Sequence, residues 1–184
     1  MLVEISQMQR LIVFLGHPIY GLTVVLFSLL LASGAGSFMT GAIGREGMMR
    51  AAAPRLLALL GTLVVFGTAV PYAVDRFRAS TTPVRILVAV GMLVPIGVFM
   101  GMAFPLGMKL AAARSSVAGP WLWGINGATS VCGSVLAVAV ALSSSISAAF
   151  WCGVGFYVIA VLAFVWGAGW QPAEDGQRRH SREP

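Results

Sequence analysis

Glu4, Gln7 and Arg10 fall at i, i+3 and i+6 near the start of an otherwise apolar stretch. On a helix they share one face, with Leu2, Ile5 and Ile12 pointing elsewhere. A carboxylate in such a helix is costly unless it faces a bundle interior, a cavity or a cation, so the chemistry this set could support is a buried ion pair or a proton-sensitive site. Glu4 reaches Arg10 only loosely at that spacing and pairs more readily with an arginine on another helix. The plainer alternative is a truncated helix that leaves Glu4 solvated among lipid headgroups. His17 and Asn126 complete the candidate intramembrane polar positions. His17 and His180 are far apart, with no further histidine or cysteine at ligand spacing, so no metal site is expected. No Ser-His-Asp set, carboxylate pair or phosphate-cradling loop assembles either, and neither a catalytic residue nor a cofactor is expected.

The elements that must position these residues follow from composition. Of 184 residues, 58% are hydrophobic and 10% charged, with a mean hydropathy of +0.89. Soluble domains carry roughly 25% charged residues, so the charge needed to cover a water-facing surface is missing. Disordered chains are poor in apolar residues, which excludes that class as well. An integral membrane protein remains. The net charge of +6 and pI near 10.4 do not indicate nucleic acid, because the basic residues lie in twos and threes between apolar runs and form no stripe. Cys132 and Cys152 sit inside apolar runs and behave as small hydrophobes.

The expected fold is all-α: a polytopic membrane helical bundle over 1–170, with five full transmembrane helices and a truncated N-terminal helix. The partial helix covers 1–15, and the spans cover about 19–39, 56–73, 84–103, 121–142 and 146–166. At 1.5 Å per residue each span covers roughly 27 to 33 Å, the thickness of a hydrocarbon core, whereas the first run reaches only about 22 Å. Runs such as Val24 to Leu31 do not alternate, which argues against barrel strands. Glu4 and Arg10 interrupt the place where the apolar region of a signal peptide would lie. Residues 171–184 form a polar tail, expected to be disordered.

Gly16-His17-Pro18 should turn the chain, since Pro18 lacks a backbone donor and disfavours helix at His17. Alternating the loops places Arg45, Arg50, Arg55, Lys109, Arg114, Arg178, Arg179 and Arg182, eight basic residues, on one side, against four, Arg10, Arg76, Arg78 and Arg85, on the other. The positive-inside rule then puts the C-terminus in the cytoplasm of a cell whose inner (plasma) membrane holds the protein.

Small residues and prolines mark packing and kinks. Gly97 and Gly101 form a GxxxG pair between Pro95 and Pro105, which bracket the end of the third span. Gly34 and Gly36 lie in a small-residue patch, Ser33 to Ser37, that lacks a G-x-G-x-x-G pattern and a preceding strand. A broken helix lining a substrate path is the sharper reading of the two prolines. Trp121 and Trp123 suit an interfacial belt, and Asn126, one turn deeper, needs a partner in the bundle or a substrate.

The stretches VEISQMQRLIVFLGHPIY (3–20), VVLFSLLLASGAGS (24–37), MGMAFPLGMKL (100–110) and PWLWGINGATSVCGSVLAVAVAL (120–142) resemble, in the same order, the membrane portion of bacterial spermidine synthase-like proteins. The resemblance implies a membrane module that in larger relatives accompanies a soluble aminopropyltransferase-like domain holding the polyamine and decarboxylated S-adenosylmethionine sites. No position of this chain corresponds to those catalytic residues. In the family the block holding Glu4 resembles part of a full spanning helix, so Met1 is expected either to be internal to a longer reading frame or to open a stand-alone remnant of the module.

Three functions follow as expectations. The first is a non-catalytic anchor or assembly partner for a soluble polyamine synthase-like enzyme, lodged in the lipid bilayer and open to homo-oligomer formation. The second is a small transporter or channel subunit moving a cation or polyamine past Glu4, Asn126 and Pro95. The third is part of a split aminopropyltransferase, inactive without its partner.

Overall fold

The structure, a computed structural model, describes residues 1–41, 48–112 and 118–169, with backbone only at 48–51, 118 and 167–169. The expected tail of 171–184, and with it Arg178, Arg179, His180 and Arg182, lies outside the described residues, as do Arg45 and Arg114. The described residues form six helices: α1 (Leu2–Leu15), α2 (Pro18–Gly41), α3 (Met48–Phe77), α4 (Thr82–Ala112), α5 (Ala118–Ser143) and α6 (Ile146–Gly169). Five of them, α2 to α6, are long and apolar enough to cross a bilayer. The chain is thus an all-α bundle with the character of a multi-pass membrane protein. Large side chains such as Phe38, Leu30, Leu87 and Trp166 face outward uncovered by protein, as expected where lipid is the solvent.

The helices run past the expected spans, most of all α3 and α4. Pro95 and Pro105 do not end the third span, because α4 continues through both to Ala112. A proline removes one donor without stopping a spanning helix whose neighbours support it.

The Gly16-His17-Pro18 turn forms as its chemistry demands. Gly16 takes the left-handed conformation at φ 77° and its N–H donates to the Ile12 carbonyl at 3.1 Å, closing α1 with the residue type that has no Cβ penalty there. His17 Nδ1 then accepts the Ile19 N–H at 3.3 Å, so this histidine caps α2. Gly21 lets α2 fold back against Ile12, since a Cβ on it would lie 2.7 Å from the Ile12 Cα.

The two helices that share the most surface, α2 and α4, meet backbone to backbone. A Cβ on Gly36 would overlap the Val98 carbonyl, one on Gly101 would overlap the Ser33 backbone, and one on Gly97 would lie 2.6 Å from the Ala32 Cβ. Gly34, one residue round from this seam, has open space. The other face of the bundle interior is side-chain packing: Leu59, Leu63 and Phe66 of α3 and Leu93 and Ile96 of α4 join Phe150 of α6 and Leu11 of α1 in one buried cluster.

Two cations tie the ends of α4 to its neighbours. Near its start, Arg85 donates to the Ser80 carbonyl at 3.0 Å, to Phe14 in the last turn of α1 at 3.4 Å, and to the Arg78 carbonyl just beyond α3. Near its end, Lys109 donates from Nζ to the Thr40 and Gly41 carbonyls of α2 at 2.7 and 3.3 Å. Last-turn carbonyls have no partner within their own helix and carry the negative end of its dipole, so a cation there satisfies both needs. The same contacts place Arg78 and Arg85 at the end of the bundle where α1 finishes, and Lys109 at the opposite end.

Gly36→Val should destabilise the detergent-solubilised chain by about 1–3 kcal/mol as an overpacked contact and so lower its thermal unfolding midpoint, while Gly34→Val leaves the midpoint unchanged. Equal midpoints for the two variants would contradict the seam described above.

Candidate functional site

The half-length helix α1 carries the polar residues. Its 14 residues rise about 21 Å, and it lies against α2, α4, α5 and α6, with Val13 left facing outward. From its capped end at Gly16 it runs inward, and its first turn reaches Gly133 of α5 and Gly153 of α6, where added Cβ atoms would lie 3.3 Å from the Met1 Cβ and 2.8 Å from a Val3 methyl. Glu4 borders a crevice shared with Ser33 and with Gly97, which is midway along α4. The N-terminal turn of α1 therefore ends level with the middle of α4, and Glu4 borders the crevice there.

Glu4 is the third residue of α1, and its Oε2 lies 2.5 Å from the Met1 amino nitrogen. An acidic side chain in the first turn is favoured there by the helix dipole, although Met1 at the N-cap makes no side-chain hydrogen bond in return. Tyr157 of α6 falls within electrostatic reach of the carboxylate.

Gln7 is 1% exposed, and neither its Oε1 nor its Nε2 makes a hydrogen bond. Gln9 Oε1 is likewise buried without a partner. Arg10 donates from Nη2 to Ser147 Oγ at 2.6 Å, at the start of α6, while its Nη1 is buried and unbonded. The polar groups of α1 thus climb from the Ser147 end of the bundle to Glu4, level with the middle of α4, and Arg10 joins Arg78 and Arg85 at the Ser147 end, as the alternation of loops expects. Ser6, by contrast, is satisfied on its own helix through the Val3 carbonyl at 2.8 Å.

Two cavities flank the start of α1. One, of about 180 Å³, opens between α1, α2 and α4 and is lined by Glu4, Ile5, Met8, Leu26, Leu29 and Met100 among others. The other, of about 550 Å³, lies between α1, α5 and α6 and takes in Asn126, Thr129, Ser130, Cys132 and Phe156. Met1 borders both. Asn126 is half-buried and its side chain lines the larger cavity, whereas Thr129 turns its hydroxyl back to the Ile125 carbonyl at 2.8 Å. Glu4 and Asn126 therefore face different cavities, and Pro95 lies on the exposed side of α4. His17 is remote from both, committed to its cap and to an edge-on contact with Tyr20. Sequence spacing selects Glu4, Gln7 and Arg10, but Ser147, Ser33, Met100 and Tyr157 join them only through the packing of other helices.

No protein-family model, no curated protein and no solved structure matches this chain.

A buried amide with no partner costs about 1–3 kcal/mol in lost solvation. Gln7→Met, close in volume and free of that amide, should raise the unfolding midpoint in detergent. A fall instead would mean that the amide is satisfied in the working protein.

Proposed function

We propose that this chain is a non-catalytic, multi-pass membrane module that acts by assembly. The observation that carries this reading is the state of α5. Only 6% of its spanning window is buried, against 22–28% for the other four spans, and among the described residues Ala137 is its one buried hydrophobic. Along its outward side Gly124 and Gly127 meet nothing where a Cβ would stand, with Ala128, Val131 and Val135 continuing the same strip at helical spacing. In lipid, where burying apolar surface gives little advantage, small residues on an open face are what allow a second helix to approach closely. The partner expected from the resemblance in the four sequence blocks is a polyamine synthase-like enzyme, reached through membrane helices of its own or through the loops that flank α5.

Gly124→Leu and Gly127→Leu should leave the stability within about 0.5 kcal/mol of the parent, as surface substitutions do. Both should nonetheless abolish co-purification of a co-expressed aminopropyltransferase-like enzyme from mild detergent. Repeated recovery of the parent chain alone would remove the assembly reading.

A second reading, passage of a cation or polyamine, is supported by Glu4 standing level with the middle of α4 beside a crevice. A carboxylate at that level is by default a functional position. Here Glu4→Gln should abolish uptake of labelled polyamine or monovalent cation into proteoliposomes while the helical circular dichroism signal stays intact. Unchanged uptake would sink this reading.

A further inference from the structure

His17 makes two bonds that open α2, and they differ in what a proton does to them. Its carbonyl accepts the Gly21 N–H at 3.0 Å, a bond that any residue type supplies. Its ring Nδ1 accepts the Ile19 N–H at 3.3 Å, a bond that belongs to the imidazole. Pro18 between them has no N–H, so Ile19 carries the first backbone donor of α2, and the ring is what receives it. A neutral ring that accepts at Nδ1 holds its proton on Nε2. His17 is exposed, so the ring exchanges protons freely with water.

From these bonds we propose that His17 is a proton-sensitive latch on the turn joining α1 to α2, closed when the ring is neutral and caps α2, and released when the ring is protonated. Protonation turns Nδ1 from an acceptor into a donor, so the Ile19 N–H loses its partner. It also places a positive charge at the end of α2 where the dipole is already positive. The two effects act in the same direction, and the charged groups around the turn do not reverse them. On α4, Arg85 brings its Nη1 to 3.6 Å from where a Cβ on Gly16 would stand. On α1, Glu4 is at the opposite end of the helix and Arg10 is bonded to Ser147. At the end of α3, Arg76 is a further cation, and Asp75 is paired with Arg78 at 3.8 Å. Helices α5 and α6 contain no charged residue, and on α2 itself the neighbour is the Tyr20 ring, edge-on at 5.6 Å. The latch is therefore closed above the ordinary imidazole range, about pH 6.5, and opens as pH falls through it. What it secures is the seat of α1, because the same turn brings Ile12 into close contact with Gly21.

The test is amide hydrogen exchange of the full chain in lipid nanodiscs, resolved by residue with NMR at about pH 8 and about pH 5, either side of the imidazole titration, and corrected for the intrinsic pH dependence of exchange. Protection of the Ile19 and Gly21 amides should fall about tenfold at the lower pH, as expected for a lost cap together with an adverse dipole, while interior amides of α4 such as that of Leu93 keep theirs. His17→Asn supplies a cap that does not titrate and should protect both amides equally at the two pH values. His17→Ala should protect them weakly at both. The nitrogen shifts of the His17 ring, followed in the parent chain alone, should change in step with the loss of protection. The proposal is overturned if the ring titrates while the parent keeps its protection. It is equally overturned if His17→Asn loses protection as the parent does, which would assign the change to another group such as Asp75 or His180.

Discussion

The contact of α2 with α4, backbone against backbone, is the constraint on which the other helices depend. Once helices lie in lipid, apolar side chains gain little by leaving one hydrocarbon surroundings for another, so association rests on close van der Waals contact. Gly36, Gly97 and Gly101 provide it by removing the side chains that would hold the axes apart. With α2 fixed on α4, the tight turn at Gly16 and the absence of a Cβ on Gly21 bring α1 back against α2. The enclosure of α1 by α5 and α6 then follows through Gly133 and Gly153, which admit its first turn.

Arg85 and Lys109 show how a chain with so few charges uses them. Both are on α4, one near each end: Arg85 donates to the Phe14 carbonyl in the last turn of α1 and to the Ser80 carbonyl in the turn before α4, and Lys109 to the Thr40 and Gly41 carbonyls that close α2. The few cations thus serve as caps, because the ends of helices are where carbonyls lack a partner within their own helix. Several serine and threonine hydroxyls within the spans are satisfied locally, as with Thr62 on the Ala58 carbonyl at 2.7 Å and Ser134 on the Ser130 carbonyl at 2.9 Å, since lipid offers them no other acceptor. Gln7 breaks this pattern, which is why it stands out among the buried residues.

Much of the architecture is legible in the order of residues alone. Helix number, the short first helix, the turn at Gly16-His17-Pro18 and the closeness at Gly97 and Gly101 all come from local quantities: apolar run length against bilayer thickness, the missing donor of proline, and the missing Cβ of glycine. Helix ends are less legible, because α3 and α4 extend beyond the apolar runs into stretches whose polarity does not prevent helix. Pro105 illustrates this, lying inside α4 where hydropathy alone suggests an end.

The polar site divides along the same line. That Glu4, Gln7 and Arg10 are a set was determined by their spacing, since the helical period is a property of the local backbone. Which partner each one meets was decided only by the tertiary structure. Arg10 finds Ser147 far along the chain, and Gln7 meets none. Gly34 and Gly36 make the point most simply: two glycines in one small-residue patch, of which only Gly36 faces Val98. Composition and period tell which residues can pack or bind, but the rotation of each helix about its axis, set by all its neighbours at once, selects those that do.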